Sequence, residues 1–177
     1  MYSIILTGYM GSGKSGVSAC LRELTGMEVI DTDIAIEEAS GRRISEIFAT
    51  DGETFFREME TDLLRALAED GTKRIISTGG GMPLREINRS LLKECGTVYY
   101  LSAKETTIYE RLAGDTTRPL LAGCASAEEK IGKIAEMMKM RDPIYRDCAD
   151  HIIETDDLSI GEVAETILKI EKEGGKK

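Results

Sequence analysis

Short apolar runs alternate along this chain with longer segments in which apolar residues recur every three or four positions. A short apolar run between turn residues is typical of a strand buried in a parallel sheet. Such runs predict five strands, at residues 4–6, 28–30, 75–77, 97–101 and 151–153.

The segments between these runs have the periodicity of amphipathic helices. Val17, Cys20, Leu21 and Leu24 follow the spacing i, i+3, i+4, i+7, which places them on one face of a helix. Similar patterns predict helices at about 44–48, 53–69, 84–94, 103–112 and 127–140 and after residue 159. Serine followed three residues later by glutamate predicts capping boxes, at Ser102/Glu105, Ser126/Glu129 and Ser159/Glu162.

Alternating strands and helices predict a single α/β domain over residues 1–177, with helices on both faces of a parallel sheet. In such folds, ligands bind at the carboxyl ends of the strands. We therefore looked for chemically active residues directly after each predicted strand.

The composition narrows the classes of partner and site. A formal net charge of −9 makes nucleic acid and anionic membranes poor partners. The cysteines are widely spaced and His151 is the one histidine, so neither a structural zinc site nor a disulfide framework is expected. With no signal peptide or membrane-length apolar run, we expect a cytoplasmic protein, and we expect it to be a monomer.

The segment after the first predicted strand has the pattern of a phosphate-binding loop. Residues 8–15 match G-x-x-x-x-G-K-[ST], and an amphipathic helix follows. Its glycines let backbone N–H groups approach a phosphate closely. Lys14 would neutralise charge on the β- and γ-phosphates of ATP, and the Ser15 hydroxyl would bind Mg²⁺.

Two carboxylates follow the second predicted strand, and their local sequence allows two interpretations. Asp33 could cap the next helix. Alternatively, Asp31 or Asp33 could hold the water shell of Mg²⁺ while the other contacts an acceptor hydroxyl.

Later polar residues are ambiguous when each is taken alone. Gly79, Gly80 and Gly81 after the third strand form either a plain turn or a place where a ligand approaches the backbone. Arg57 could simply pair with Glu60 along its helix. Two further arginines have similar alternatives: Arg118, in the polar loop 114–123, is either solvated or an arginine finger, and Arg141 could stabilise a helix end.

Taken in order, these segments resemble the shikimate kinase family, within the nucleoside-monophosphate-kinase-like group of P-loop proteins. The matching segments are Gly8-x-x-x-x-Gly13-Lys14-Ser15, Asp31-Thr32-Asp33, Gly52-Glu53-x-Phe55-Phe56-Arg57-x-x-Glu60, Gly79-Gly80-Gly81, Arg118-Pro119-Leu120-Leu121 and Arg141-Asp142-Pro143-Ile144-Tyr145. The resemblance implies a three-layer α/β/α kinase fold with a five-stranded parallel sheet. It also implies a substrate-binding helical region at about 32–60 and a lid at about 113–125.

The resemblance further implies transfer of the ATP γ-phosphoryl group to the 3-hydroxyl of shikimate, with Mg²⁺ as cofactor. It implies catalytic roles for Lys14, Asp33 and Arg118, and Mg²⁺ binding by Ser15 and, through water, by Asp31. The implied ATP-binding residues are Gly11, Ser12, Gly13, Lys14, Ser15, Gly16, Arg111 and Arg118. The implied shikimate-binding residues are Asp33, Arg57, Gly79, Gly80 and Arg141.

One position departs from the family pattern. Gly16 stands where the family usually has threonine, which removes a hydroxyl near the α-phosphate. Two other functions stay open from the sequence: a kinase of gluconate or of a nucleoside monophosphate, and a nucleotide-binding regulator that has lost catalysis.

Overall fold

A five-stranded parallel sheet forms the centre of the molecule, in the order β2-β3-β1-β4-β5. The computed structural model describes residues 2–112 and 126–174. The strands are β1 (Ser3–Thr7), β2 (Val29–Asp31), β3 (Ile75–Ser77), β4 (Gly96–Ser102) and β5 (His151–Glu154). The parallel α/β fold predicted from the sequence is confirmed.

Helices connect the strands and cover both faces of the sheet. They are α1 (Lys14–Thr25), α2 (Thr32–Ser40), α3 (Ile44–Thr50), α4 (Gly52–Asp70), α5 (Glu86–Cys95), α6 (Glu105–Leu112), α7 (Ala127–Cys148) and α8 (Ile160–Lys172). A short 3-10 helix (Met82–Leu84) precedes α5, so the single helix predicted at 84–94 is divided by an extended Arg85. No helix among the described residues is long and apolar enough to span a membrane.

Side-chain alternation along β1 divides the core into two layers. Ile4 and Leu6 pack with α1 and α8 on one face, whereas Ile5 packs with α4, α5 and the end of α7 on the other. A smaller cluster of Ile36, Ile47 and Phe56 joins α2, α3 and α4 beside the sheet. This cluster gives the helical region at 32–60 its own apolar support.

Two predictions about helix ends are wrong. Helix α7 does not stop before Pro143 but continues to Cys148, because burial of Tyr145 and Cys148 outweighs the backbone hydrogen bond that proline removes. Ser102 does not cap α6, since it ends β4. Asp156 supplies that cap from a distant loop, accepting hydrogen bonds from the Lys104 N–H at 2.8 Å and the Thr107 hydroxyl at 2.6 Å.

The other predicted capping serines do begin helices. Ser159 and Glu162 form the reciprocal box that opens α8. Ser126 accepts the Glu129 N–H at the start of α7. These caps succeed as predictions because every partner lies within three residues.

Candidate active site

The phosphate-binding loop turns between β1 and α1 through three glycines with positive φ. Gly8, Gly11 and Gly13 have φ angles of 147°, 75° and 97°, which L side chains rarely adopt. Lys14 folds back over this loop, where its Nζ donates hydrogen bonds to the carbonyls of Gly8 at 2.8 Å and Tyr9 at 3.0 Å. The turn therefore holds an ammonium group beside backbone N–H groups, an arrangement suited to binding anions.

This loop lines one cleft together with residues from other strand ends. The cleft has a volume of about 450 Å³. Its walls include residues 10, 11 and 13–16 of the loop, the two carboxylates Asp31 and Asp33, residues 77–80 after β3, and Arg111 with Leu112 on α6. The fold thus brings a phosphate site and a carboxylate pair into one space of small-molecule size.

The two aspartates have different local roles. Asp31 caps α2, because its Oδ1 accepts hydrogen bonds from the N–H groups of Asp33 at 3.0 Å and Ile34 at 3.3 Å. The alternative in which Asp33 caps this helix is therefore wrong. Burial raises the pKa of Asp33 and the nearby charge of Asp31 adds to the rise, while Lys14 and Arg57 oppose it.

Two of the three glycines after β3 give room to the charged groups of the site. A β-carbon at Gly79 would collide with Oδ1 of Asp33, and one at Gly81 would lie 2.7 Å from Cζ of Arg57. Gly81 was not among the residues predicted for the site. The crowding around it becomes visible only in three dimensions, because Arg57 comes from a distant helix.

The backbone of the same glycines is partly used within the protein. Gly79 donates its N–H to Oγ1 of Thr32 at 2.8 Å, so this group is already paired within the protein. The Gly80 carbonyl accepts the Tyr145 hydroxyl at 2.5 Å. Among the described residues, no acceptor is bonded to the N–H of Gly80, which leaves Gly80 as the better candidate for a backbone contact with substrate.

Arg57 is held by two carboxylates of its own helix. Its Nη1 donates to Oε2 of Glu60 at 2.8 Å, and its Nε and Nη2 donate to Oε1 of Glu53 at 3.2 and 2.9 Å. The pairing along the helix that the sequence allowed is therefore present. Three of the five guanidinium N–H groups are engaged in it, so two stay available for a ligand.

Glu60 is fully buried and was not predicted as a site residue. Burial raises its pKa to about 7, and Asp33 adds to the rise, while the ion pair with Arg57 and the charge of Arg85 oppose it. A glutamate on a predicted amphipathic helix is normally solvated. The sequence signal that could have identified it is its position, since Glu60 lies one helical turn after Arg57 and four residues after the apolar Phe56.

Glu60 should make the stability of the fold depend on pH. Between the unfolded value of 4.5 and about 7, the folded state binds more protons, so the free energy of unfolding falls as pH rises through this range. We expect the difference in unfolding free energy between the parent and Glu60→Gln to shift by roughly 1–3 kcal/mol between pH 5 and pH 8. Urea unfolding at several pH values measures it, and a difference that does not vary with pH would contradict the raised pKa.

Arg141 lies within α7, not at a helix end as predicted. Its guanidinium lies over the ring of Tyr9, with Cζ 5.8 Å from the ring centroid, and its charge opposes the burial that raises the pKa of Tyr145. No carboxylate among residues 2–112 and 126–174 forms an ion pair with it. Of the two predicted carboxylate-binding arginines, Arg141 is thus the one that lacks an acidic partner in the described structure.

The nucleotide side of the cleft is held by contacts between α6 and the loop after β5. Arg111 donates to the Thr155 hydroxyl at 3.0 Å and to the Thr155 carbonyl at 2.6 Å. A β-carbon at Gly16 would lie 2.6 Å from Cδ1 of Ile160, so Ile160 occupies the space beside this glycine. The predicted lid at 113–125, with Arg118, lies outside the described residues.

Ser15 and Asp31 line the cleft and fit the requirements of Mg²⁺. The cap uses Oδ1 of Asp31, which leaves its second oxygen for a metal-bound water. Among the described residues, no group of three or more histidine, cysteine or acidic side chains could hold a metal alone. A hydroxyl and one carboxylate are the small protein contribution that Mg²⁺ takes when phosphates and waters complete its shell.

Comparisons with known proteins agree with this geometry. The family model described as shikimate kinase matches residues 10–171. A shikimate kinase of Thermodesulfovibrio yellowstonii is 39% identical over 169 residues, covering 96% of this chain and 94% of that protein. A shikimate kinase of Bacillus cereus is 43% identical over 152 residues, covering 86% of this chain and 88% of that one.

A solved structure has the same fold over the whole chain. The shikimate kinase from Acinetobacter baumannii in complex with shikimate has a TM-score of 0.87 and 36% identity, covering 100% of this chain and 96% of its own. Family model, curated relative and solved structure agree over nearly all of the sequence. The chain therefore belongs to the shikimate kinase family.

Proposed function

We propose that this protein transfers the γ-phosphoryl group of ATP to the 3-hydroxyl of shikimate, giving shikimate 3-phosphate and ADP on the way to chorismate and the aromatic amino acids. The observation that carries the proposal is the shared cleft, in which a phosphate-binding loop lies beside the partly buried carboxylate of Asp33, with Lys14 and Arg57 close enough to affect its pKa. Membership in the shikimate kinase family supports the choice of acceptor.

The phosphate-binding loop positions the nucleotide. Its N–H groups and Lys14 neutralise the charge of the β- and γ-phosphates, and Ser15 and, through water, Asp31 would hold Mg²⁺. Mg²⁺, when bound, withdraws charge from the phosphate oxygens. Arg111, fixed by Thr155, borders the nucleotide end of the cleft.

Asp33 acts on the acceptor hydroxyl. A partly buried carboxylate with a raised pKa is a stronger base than an exposed one, and the nearby charges of Lys14 and Arg57 oppose the rise in the pKa of Asp33. The acceptor oxygen forms a bond to the γ-phosphorus as the bond from that phosphorus to the ADP oxygen breaks. The hydroxyl proton moves to Asp33, and the negative charge leaves with ADP.

The two arginines bind the acceptor carboxylate. Arg57 has two N–H groups left after its pairing with Glu53 and Glu60, whereas Arg141 has no acidic partner among the described residues. We expect Arg141 to contribute the larger share of new charge-assisted hydrogen bonding. Arg57 is already paired, so substrate adds less to its interactions.

Carboxylate binding can be tested by changing the acceptor. Arg141→Ala should raise the KM for shikimate by about 10- to 10²-fold, since one or two charge-assisted hydrogen bonds are lost. The affinity for ATP measured without acceptor should change little. Methyl shikimate should be a much poorer substrate than shikimate for the parent enzyme, and this penalty should shrink in Arg141→Ala.

A coupled assay with ATP, Mg²⁺ and shikimate tests the function itself. Gluconate and nucleoside monophosphates are measured beside shikimate. The matched control for Arg141→Ala is Arg65→Ala, since Arg65 is an exposed arginine on α4. Preferred turnover of another acceptor would overturn the assignment, as would ATP binding without turnover of any acceptor. An ester used as efficiently as the acid would show that the arginines serve the fold instead.

A further inference from the structure

A chain of buried polar groups connects α4 to the segment that follows the three glycines. Thr61 of α4 and Asn88 of α5 are both buried, and Oγ1 of Thr61 lies 2.7 Å from Oδ1 of Asn88. Nδ2 of Asn88 donates to the carbonyl of Met82 at 3.0 Å. The proposed mechanism uses neither of these side chains.

Counting protons fixes the direction of each hydrogen bond. Oγ1 of Thr61 carries one proton, and Oδ1 of Asn88 is an acceptor, so Thr61 donates to Asn88. The Arg57 carbonyl also lies 2.9 Å from the Thr61 hydroxyl, but the single hydroxyl proton is already donated to Asn88. This carbonyl accepts a hydrogen bond from Nη1 of Arg85 at 2.9 Å instead. Nη1 of Arg85 also donates to the Thr61 hydroxyl at 3.1 Å, so every group in the chain is satisfied.

The chain of bonds ends at the glycines that contact the reacting groups. The Met82 N–H donates to the Gly79 carbonyl at 3.1 Å, directly beside Asp33. At the other end of the chain of bonds is the carbonyl of Arg57, and the guanidinium of the same residue lies against Gly81. One continuous set of hydrogen bonds therefore spans from the backbone of Arg57 to the glycine that Asp33 contacts.

Asp33 and Arg57 come from different helices, and neither helix alone fixes the distance between them. We propose that Asn88 is a positioning residue that, together with Thr61, sets the spacing of Arg57 and Asp33 by locking α4 against the segment Gly79–Met82. Asn88 does not touch the substrate in this role. The inference rests on the proposed function, because its consequence is measured on the acceptor.

Positioning predicts a loss that is specific to the acceptor. Thr61→Val keeps the shape of the side chain and removes the hydroxyl, and Asn88→Leu keeps a similar volume and removes both bonds. Each should raise the KM for shikimate about 5- to 10-fold and lower kcat/KM about 10-fold or more, because small displacements of reacting groups cost rate. The Kd for ATP should stay within about twofold, since the phosphate loop is not part of this chain of bonds.

Two further variants separate positioning from general stability. Thr61→Ser retains the hydroxyl and should restore a parent-like KM for shikimate. Leu64→Val removes buried packing one helical turn further along α4, without touching the hydrogen bonds. It should lower the urea midpoint while leaving the KM for shikimate and the ratio of ester to acid turnover unchanged.

The experiment measures shikimate, methyl shikimate and ATP parameters for the parent and these four variants, with urea midpoints for each. The proposal is supported if Thr61→Val and Asn88→Leu raise the acceptor KM and narrow the penalty for the ester, while Thr61→Ser and Leu64→Val do not. It is overturned if the first two retain the parent KM and ester penalty, or if Leu64→Val changes them equally. Should Asn88→Leu not fold, Thr61→Val against Thr61→Ser decides the question.

Shikimate turnover by the parent enzyme distinguishes failure of this proposal from failure of the proposed function. A parent without turnover of shikimate overturns the proposed function and this inference together. A parent that phosphorylates shikimate, with both hydrogen-bond variants unchanged, overturns the positioning role alone.

Discussion

Replacing Asp33 with asparagine is expected to lower kcat by about 10²–10⁴-fold, because the acceptor hydroxyl loses its base. In this structure the charge of Asp33 can be removed separately from the cap of α2. Asp31 caps α2, so Asp33 can lose its charge without loss of the helix start. The melting temperature and the Kd for ATP should therefore stay close to those of the parent.

The pH dependence adds a second test of Asp33. Because the pKa of Asp33 is raised, kcat/KM should fall on the acid side at a pH above the ordinary pKa range of an aspartate. The residual activity of Asp33→Asn should not show this fall. Asp33→Glu should also lower the rate, because the added methylene group moves the carboxylate away from the position that aspartate gives it beside Gly79. An active Asp33→Asn enzyme would remove Asp33 from the chemistry.

Gly79→Ala is expected to lower kcat by about 10²-fold through displacement of Asp33. The new β-carbon would collide with Oδ1 of that carboxylate, which is the free end of a side chain and can turn away at little cost in stability. Displacement of a reacting group by about 1 Å is enough for a loss of this size. Steady-state kinetics and thermal unfolding of the same variant measure the two effects.

Gly132→Ala is the matched control for this substitution. Gly132 lies in α7, and a β-carbon there meets no atom within 4 Å. Alanine in a helix interior should leave kcat unchanged and stabilise the fold by about 0.5–1 kcal/mol. A Gly79→Ala enzyme with parent-like kcat would mean that Asp33 functions equally well in a displaced position.

Patterns contained within a few residues predicted most of the fold. The alternation of Ile4, Ile5 and Leu6 between the two core layers follows from strand geometry alone. The box of Ser159 and Glu162 involves one helical turn. Such features are determined locally, so the sequence contains the information needed to predict them.

Features that depend on distant partners were missed. The cap of α6 comes from Asp156, and nothing near Ser102 indicates it. Helix α7 continues through Pro143 because Tyr145 and Cys148 become buried against other elements. In both cases contacts between distant residues outweigh the preference of the local sequence. A pattern within a few residues contains no information about such contacts.

The candidate site shows the same division. Because the strands are parallel, the phosphate loop, Asp31 and the glycines lie at one edge of the sheet, and the sequence was sufficient to predict that. The crowding of Gly81 by Arg57 and the burial of Glu60 depend on contacts between separate elements, and the choice of Asp31 as the cap of α2 depends on the exact start of that helix. Those features required the three-dimensional arrangement.

The layer of the core that packs α1 and α8 on the sheet has a consequence for protein synthesis. Ile4 and Leu6 of β1 lie in one cluster with Val163, Ala164 and Ile167 of α8, although the ribosome makes α8 long after β1. A nascent chain without α8 therefore has only α1 to cover this face of its central strand, and part of the face stays exposed. The segment that binds ATP is translated early, yet it gains its full support only after α8 has emerged from the exit tunnel.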